Sequence, residues 1–199
     1  MLEQRIQQHF IDSADLKYQS GPVLSKPISQ AMQALLACVT SGGKILACGA
    51  GVSGLLAAQF AAQFVGRFER DRPELAAIAL PGDTTDPSAD TADAVDADRF
   101  ARQVRALGQA GDVLLALSAS GKSAAVLAAV EAAHARDMTV VALIGANGGS
   151  VGRALRETDV QVSVPHERAL RIHEIHLLAL HCLCDGVDAQ LLGDPDIAT

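Results

Sequence analysis

Hydrophobic positions along the chain follow two different periods. Over residues 2–18 and about 27–40, apolar side chains recur every three or four positions, which predicts two amphipathic helices. The stretch between these two helices contains Gly21-Pro22 and Lys26-Pro27, which predict a break in the helical structure there.

From residue 44 onward, short apolar runs alternate with longer helical patterns. The runs predict strands at 44–49, 75–80, 112–118, 139–145 and 159–165. The intervening patterns predict helices over 54–66, 94–109, 121–136, 148–156 and 168–191. Near-continuous apolar strands that alternate with helices indicate an α/β protein, a three-layer sandwich in which helices cover both faces of a five-stranded parallel sheet. We therefore expect a helical oligomerisation segment at 1–40, followed by one domain over 41–199.

Composition and charge narrow the function classes. The net charge is -7 and no segment concentrates Lys and Arg, which argues against direct binding of nucleic acid. The N-terminus lacks the apolar core of a secretory signal, and we find no apolar run of the ~18 residues needed to span a bilayer. We expect a cytoplasmic protein without membrane contact. The four cysteines lack zinc-finger spacing and predict free thiols, three of them buried.

A glycine motif follows the first predicted strand. Residues 49–54 spell G-x-G-x-x-G, the pattern of a dinucleotide-binding turn. That function also needs an acidic residue at the end of the second strand, about 20 residues further on. The first candidate, Asp83, comes too late, so the motif favours a phosphate cradle of another kind.

A serine-rich loop follows the third predicted strand. The segment 117–126, LSASGKSAAV, offers the hydroxyls of Ser118, Ser120 and Ser123 with Gly121 among them. Because the loop opens a helix, its free N–H groups and the helix dipole favour a phosphate monoester. Ordinary capping by one serine is the alternative. A nucleotide P-loop is disfavoured because Ala116 replaces its first glycine.

The two loops, CGAGVS and SASGKS, resemble those of the sugar isomerase (SIS) domain family, and the resemblance extends over nearly the whole chain. It is strongest to the phosphoheptose isomerase branch. The segments QVRALG, AGDVLLA and HCLCDGVD most resemble the non-catalytic members of that branch that associate with the DnaA initiator. The resemblance implies a flavodoxin-like α/β sandwich, assembled as a homotetramer through the N-terminal helices and the long C-terminal helix.

The resemblance also implies a set of phosphosugar-binding residues. These are Gly51, Ser53, Asp93, Ser118, Ser120, Ser123 and His173. Two positions of the first loop depart from the family pattern. Ala50 replaces an asparagine and cannot hydrogen-bond a sugar hydroxyl. Val52 replaces a glycine, and we expect its branched side chain to resist a positive φ.

The catalytic positions depart further. Aldose–ketose isomerisation needs a base beside the carbonyl, for which the family uses a glutamate and a histidine, and many members bind zinc. A histidine and the glutamate of the family's first helix correspond to Gln59 and Gln63 here. His181 matches the family's catalytic histidine and is the candidate base. We expect no metal; His173 and His181 are weak candidate ligands, and zinc is expected only if the chain is an isomerase. Interface or core packing is the alternative role for these histidines.

Three hypotheses follow from these departures. The first is a non-catalytic phosphosugar-binding protein that regulates chromosomal replication initiation, with DnaA as its partner and Leu191 and Leu192 as part of the partner-binding surface. The alternative is a sedoheptulose 7-phosphate isomerase of lipopolysaccharide heptose biosynthesis. A third is a degenerate SIS domain that senses another phosphosugar or has lost ligand binding.

Overall fold

Helices and strands alternate after one long helix. The computed structural model of the chain describes residues 1–82, 96–145 and 147–193. The elements are α1 Leu2–Thr40, β1 Ile45–Gly49, α2 Val52–Val65, β2 Ala77–Ala79, α3 Arg99–Leu107, β3 Val113–Ser118, α4 Ala124–His134, β4 Thr139–Gly145, α5 Gly149–Ala154, β5 Val160–Val164 and α6 Ala169–Leu192.

The strands form one parallel sheet in the order β2-β1-β3-β4-β5. Every residue of β1 and β3 is buried, which explains their continuous apolar sequences. The chain winds to one side of β1 and then returns to the other, so β1 and β3 flank the topological switch point where such sheets bind ligands. The predicted fold class is confirmed.

Two hydrophobic layers cover the two faces of the sheet. Successive strand residues alternate between them, as Leu115 packs with α1, α2 and α6, whereas Leu114 packs with α3, α4 and α5. The sandwich therefore has three layers, with the longest helices on the same face.

The N-terminal segment is a single helix, so the predicted break near Pro22 and Pro27 is wrong. Both prolines lie inside α1, where each removes a backbone donor at a cost of roughly 3 kcal/mol. One face of the helix compensates by burying Leu24, Ala31 and Leu35, and α1 packs on α6 and β5. Division of the chain at residues 40 and 41 stays a prediction.

The C-terminal helix α6 is, by length and composition, apolar enough to cross a membrane, contrary to the expectation that no segment of the chain is. Within its most apolar window, 44% is buried inside the fold. Ile175, Leu180 and Leu183 of this helix belong to the core layer shared with α1 and α2. Core packing accounts for its apolar character.

Candidate active site

Two loops meet where β1 and β3 end. These strands are parallel neighbours, and Gly49 at the end of β1 lies opposite Leu117 of β3. The loops that follow therefore lie side by side at the switch point. Each leads directly into a helix, α2 after the first loop and α4 after the second.

The first loop depends on two glycines. Gly51 has φ 55° at the start of α2, a conformation that L side chains rarely adopt. A Cβ on Gly49 would lie 2.6 Å from the backbone of Ser53. Val52 is the first residue of α2 and does not have a positive φ, so the expected strain at this position is wrong. Gly54 lies inside α2 rather than in the turn.

The three serines of the second loop organise its backbone. Ser118 Oγ accepts the N–H of Gly121 at 3.1 Å, and Ser120 Oγ accepts that of Lys122 at 3.1 Å. Ser123 caps α4 by accepting the Val126 N–H at 3.4 Å. Capping and anion binding are thus compatible here, because the loop wraps the positive end of the α4 dipole.

Gly121 fixes this loop against the next one. Its φ is 64°, and its carbonyl accepts the Val151 N–H at 2.9 Å and the Ser150 hydroxyl at 3.3 Å. A Cβ on Gly121 would lie 2.2 Å from the Gly148 carbonyl oxygen. The close approach of two backbones holds the serine loop in place.

His173 on α6 joins the first loop. Its Nε2 lies 3.3 Å from Ser53 Oγ, and Ser53 is fully buried. The structure thus places Gly51, Ser53 and His173 together, next to the loop that carries Ser118, Ser120 and Ser123. Asp93, the remaining predicted phosphosugar residue, lies outside the described residues.

A line of side-chain contacts between α2 and α6, here called the helix seam, leads away from the loops. Nε2 of His181 lies 3.5 Å from Nε2 of Gln59, and the Phe68 ring is 5.5 Å from the imidazole. Further along, Cys184 Sγ donates to Gln63 Oε1 at 3.9 Å. Gln59 is six positions beyond Ser53, so at the helical rise it lies about 9 Å further along α2.

The neighbouring histidine has a different environment. His176 is fully buried, and its Nε2 donates to the Ile144 carbonyl at 3.4 Å. Burial lowers the pKa of His176 to about 3, so it is a neutral core residue. Arg171 and Glu174 form an ion pair on the same helix, with Nη1 and Oε1 2.5 Å apart.

Sequence reasoning missed two features of this region. A small cavity of about 150 Å³ beside the serine loop is lined partly by His166 and Glu167. The sequence could have indicated these two residues, because they come shortly after the end of strand β5. The second feature is the contact between Gln59 and His181, which no local pattern marks.

Comparison with known proteins identifies the family of this chain. The profile of the SIS domain family matches residues 9–145, and the chain belongs to this family. Within it, the chain falls in the phosphoheptose isomerase branch. It is 61% identical over 197 residues to a phosphoheptose isomerase of Methylibium petroleiphilum, covering 99% of this chain and 98% of that protein. It is 52% identical over 192 residues to one of an Azoarcus species, covering 95% and 96%.

Solved structures of phosphoheptose isomerases are also similar to the chain. The phosphoheptose isomerase GmhA of Neisseria gonorrhoeae superimposes with a TM-score of 0.84 at 46% identity, covering 95% of this chain and 100% of that one. One from Francisella tularensis gives a TM-score of 0.84 at 38% identity, covering 94% and 98%.

These relatives overturn the first functional hypothesis. The prediction of a non-catalytic regulator of replication initiation is wrong, because the similar proteins over the full chain are phosphoheptose isomerases. Leu191 and Leu192 end α6, with exposed fractions of 39% and 37%. Their assignment to a partner-binding surface stays a prediction.

Proposed function

We propose that the chain is a phosphoheptose isomerase that interconverts sedoheptulose 7-phosphate and the corresponding aldoheptose 7-phosphate. The observation that carries the proposal is the arrangement of the serine loop and His181. The serine loop, a candidate phosphate cradle, lies at the switch point, and His181, the candidate base, lies along the helix seam leading from it. The named activity of the full-length relatives supports the same conclusion.

The serine loop would bind the phosphate. Ser118 and Ser123 are buried in this loop and accept backbone N–H groups, and a serine hydroxyl is also a donor of the kind that phosphate oxygens accept. The first turn of α4 adds backbone N–H donors and the positive end of its dipole. Lys122 is exposed at the same turn and adds positive charge.

The sugar chain would extend along the helix seam. The separation of about 9 Å between Ser53 and Gln59 along α2 suits an extended open-chain heptose, with its phosphate at the loops and its carbonyl near His181. Ser53 and His173 would contact the chain between these two ends. This placement puts the reacting carbons beside a half-buried imidazole.

His181 would move the proton. As a base, the imidazole removes a proton from C1 of the ketose, and the electron pair of the C–H bond forms the C1–C2 double bond of an enediol. The carbonyl oxygen at C2 takes up a proton from solvent, which the later loss of the C1 hydroxyl proton returns. Return of the imidazolium proton to C2, with loss of the proton from the C1 hydroxyl, gives the aldehyde, so no atom is gained or lost.

The two glutamines would act as neutral hydrogen-bonding groups. A carboxamide cannot accept a proton at working pH, so neither glutamine would replace the family's base. Gln59 lies next to His181 and would hydrogen-bond its imidazole ring.

We also propose a homotetramer. Large apolar side chains of α1 are at least half exposed in the single chain, among them Leu2, Phe10 and Tyr18. An apolar groove of about 310 Å³ between α1 and α6 lies on the same side of the fold. Burial of such a surface between copies is the ordinary outcome for exposed patches of this kind. Light scattering of the protein as it elutes from a size-exclusion column tests the proposed tetramer.

The activity test follows conversion of sedoheptulose 7-phosphate by the wild type, by His181→Ala and by the control Cys182→Ser, an exposed neighbour on the same helix. We expect turnover by the wild type and the control, and a loss of about 100-fold or more in His181→Ala. Absence of turnover in a folded wild-type protein would refute the proposed function. Full activity in His181→Ala would refute the role of His181.

A further inference from the structure

The helix seam offers a donor set that does not suit a divalent metal. The family resemblance implies that zinc binds where Gln59, Gln63, His173 and His181 stand in this chain. Zinc sites in proteins use thiolates, imidazoles and carboxylates, with enough negative charge to balance the ion. Here the two positions on α2 supply only neutral carboxamides.

Contacts within the seam already engage these carboxamides. Gln59 faces the imidazole nitrogen of His181 at 3.5 Å, and Gln63 Oε1 accepts the hydrogen of the Cys184 thiol. His173 faces the Ser53 hydroxyl instead.

Among residues 1–82, 96–145 and 147–193, no group of three or more His, Cys, Asp or Glu side chains is arranged to hold a metal ion. The seam therefore provides a proton-transfer group without the anionic partners that a dication requires.

We infer that this chain carries out its proton transfer without a divalent metal, and that Gln59 is a positioning residue for His181. A carboxamide has both N–H donors and a carbonyl acceptor, so it can hydrogen-bond the imidazole before and after protonation. It holds the ring in both states without adding charge. The inference rests on the proposed isomerase for its kinetic readout, but its metal-binding readout does not require turnover.

The decisive experiment measures zinc binding by titration calorimetry in a Cys182→Ser background, which removes the exposed thiol. Four proteins are compared after chelator dialysis: the background protein, Gln59→His with Gln63→Glu, the same pair with His181→Ala, and His181→Ala alone. The double change restores the histidine and glutamate of the family pattern. Circular dichroism verifies that each protein is folded.

We expect the double change to create a site for one zinc per chain that depends on His181, and the background protein to bind zinc at least about 100-fold more weakly. Zinc binding by the background protein as tight as that of the double variant, and lost with His181→Ala, would overturn the inference. Equal failure of both proteins to bind would agree with metal independence but would refute the assignment of its cause to Gln59 and Gln63, because the four positions would then not converge on one site.

Kinetics test the positioning role. Turnover of the wild type should be unchanged by a chelator. Gln59→Leu should lower kcat by about 10- to 100-fold with little change in KM, and Gln59→His, which restores a ring-nitrogen partner, should recover part of it. Unchanged kcat in Gln59→Leu would refute the positioning role. If the wild type lacks turnover altogether while the zinc results are as expected, the proposed function and the positioning role of Gln59 fail, and only the conclusion that the helix seam does not hold a divalent metal stands.

Discussion

Arg72, in the segment between α2 and β2, and Asp188, on α6, form a buried ion pair. Arg72 Nε lies 2.5 Å from Asp188 Oδ1, and the two side chains are only 1% and 4% exposed. The guanidinium also donates to the carbonyls of Phe64 and Gln63 at the end of α2. Asp188 Oδ2 has no hydrogen-bond partner within the described part of the chain, so this carboxylate depends on Arg72. The pair therefore links the end of α2 to α6 at the end of the helix seam that is farthest from the loops.

Loss of one partner of this pair should destabilise the fold strongly. We expect Arg72→Met to lower the free energy of unfolding by about 3–5 kcal/mol, because an unpaired charge stays buried. The double change Arg72→Met with Asp188→Leu should be milder than Arg72→Met alone. Urea unfolding measures both. Arg67→Met is the control, since it breaks an exposed pair with Asp71 and should cost at most about 1 kcal/mol.

Asp112 should make stability depend on acidic pH. Burial alone would raise the pKa of its carboxyl, but hydrogen bonds from the Lys44 side chain and from the backbone of Lys44 and Gln109 outweigh it and lower the pKa below the usual value. A lowered folded-state pKa gives stability that is present above the unfolded value, about 3.9, and is lost as pH falls through the folded value.

The variant Asp112→Asn should therefore be less stable at pH 7 and show a shallower loss of stability below about pH 4 than the wild type. Urea unfolding over a pH series measures this difference. A pH profile of Asp112→Asn identical to that of the wild type would contradict the prediction.

Two glycines with positive φ should respond differently to alanine. Gly42 has φ 79° and open space around it, so Gly42→Ala carries only the backbone strain of about 1–2 kcal/mol. Gly121→Ala adds a clash with the Gly148 carbonyl and should cost more, with a raised KM because the serine loop must shift. Thermal unfolding compares the two, and equal losses would argue against a rigid contact between the loops.

Ser120 should contribute to substrate binding more than to chemistry. We expect Ser120→Ala to raise KM by about 10-fold, the value of one lost hydrogen bond to a charged group, and to change kcat little. Steady-state kinetics with sedoheptulose 7-phosphate measure both constants. Ser163→Ala on the edge strand β5 is the control and should match the wild type.

The sequence predicted well what is locally determined. Strands such as β4 were predicted at 139–145, and they extend from Thr139 to Gly145, because a buried parallel strand has a continuous apolar sequence. The serine loop was found because glycine and serine have specific roles at a helix start. Both signals lie within a few neighbouring residues.

The errors have tertiary causes. Pro22 and Pro27 are helix-breaking by local rules, yet α1 continues because its packing on α6 outweighs their cost. The partnership of Gln59 with His181 joins residues 122 positions apart, and no periodicity encodes it. The regulator hypothesis gave too much weight to lost catalytic side chains, whereas the relatives over the whole chain are isomerases.

The packing of α1 on α6 and β5 bears on how the chain folds during synthesis. The first helix is made before β5 and α6, the elements on which it mainly packs. At about 5–20 residues per second, the roughly 120–150 residues that follow α1 up to these elements take about 6–30 seconds to synthesise, and until then the apolar face of α1 lacks these contacts. During that interval, the nascent chain exposes an apolar helix face, to which a chaperone or a neighbouring nascent copy can bind before β5 and α6 do.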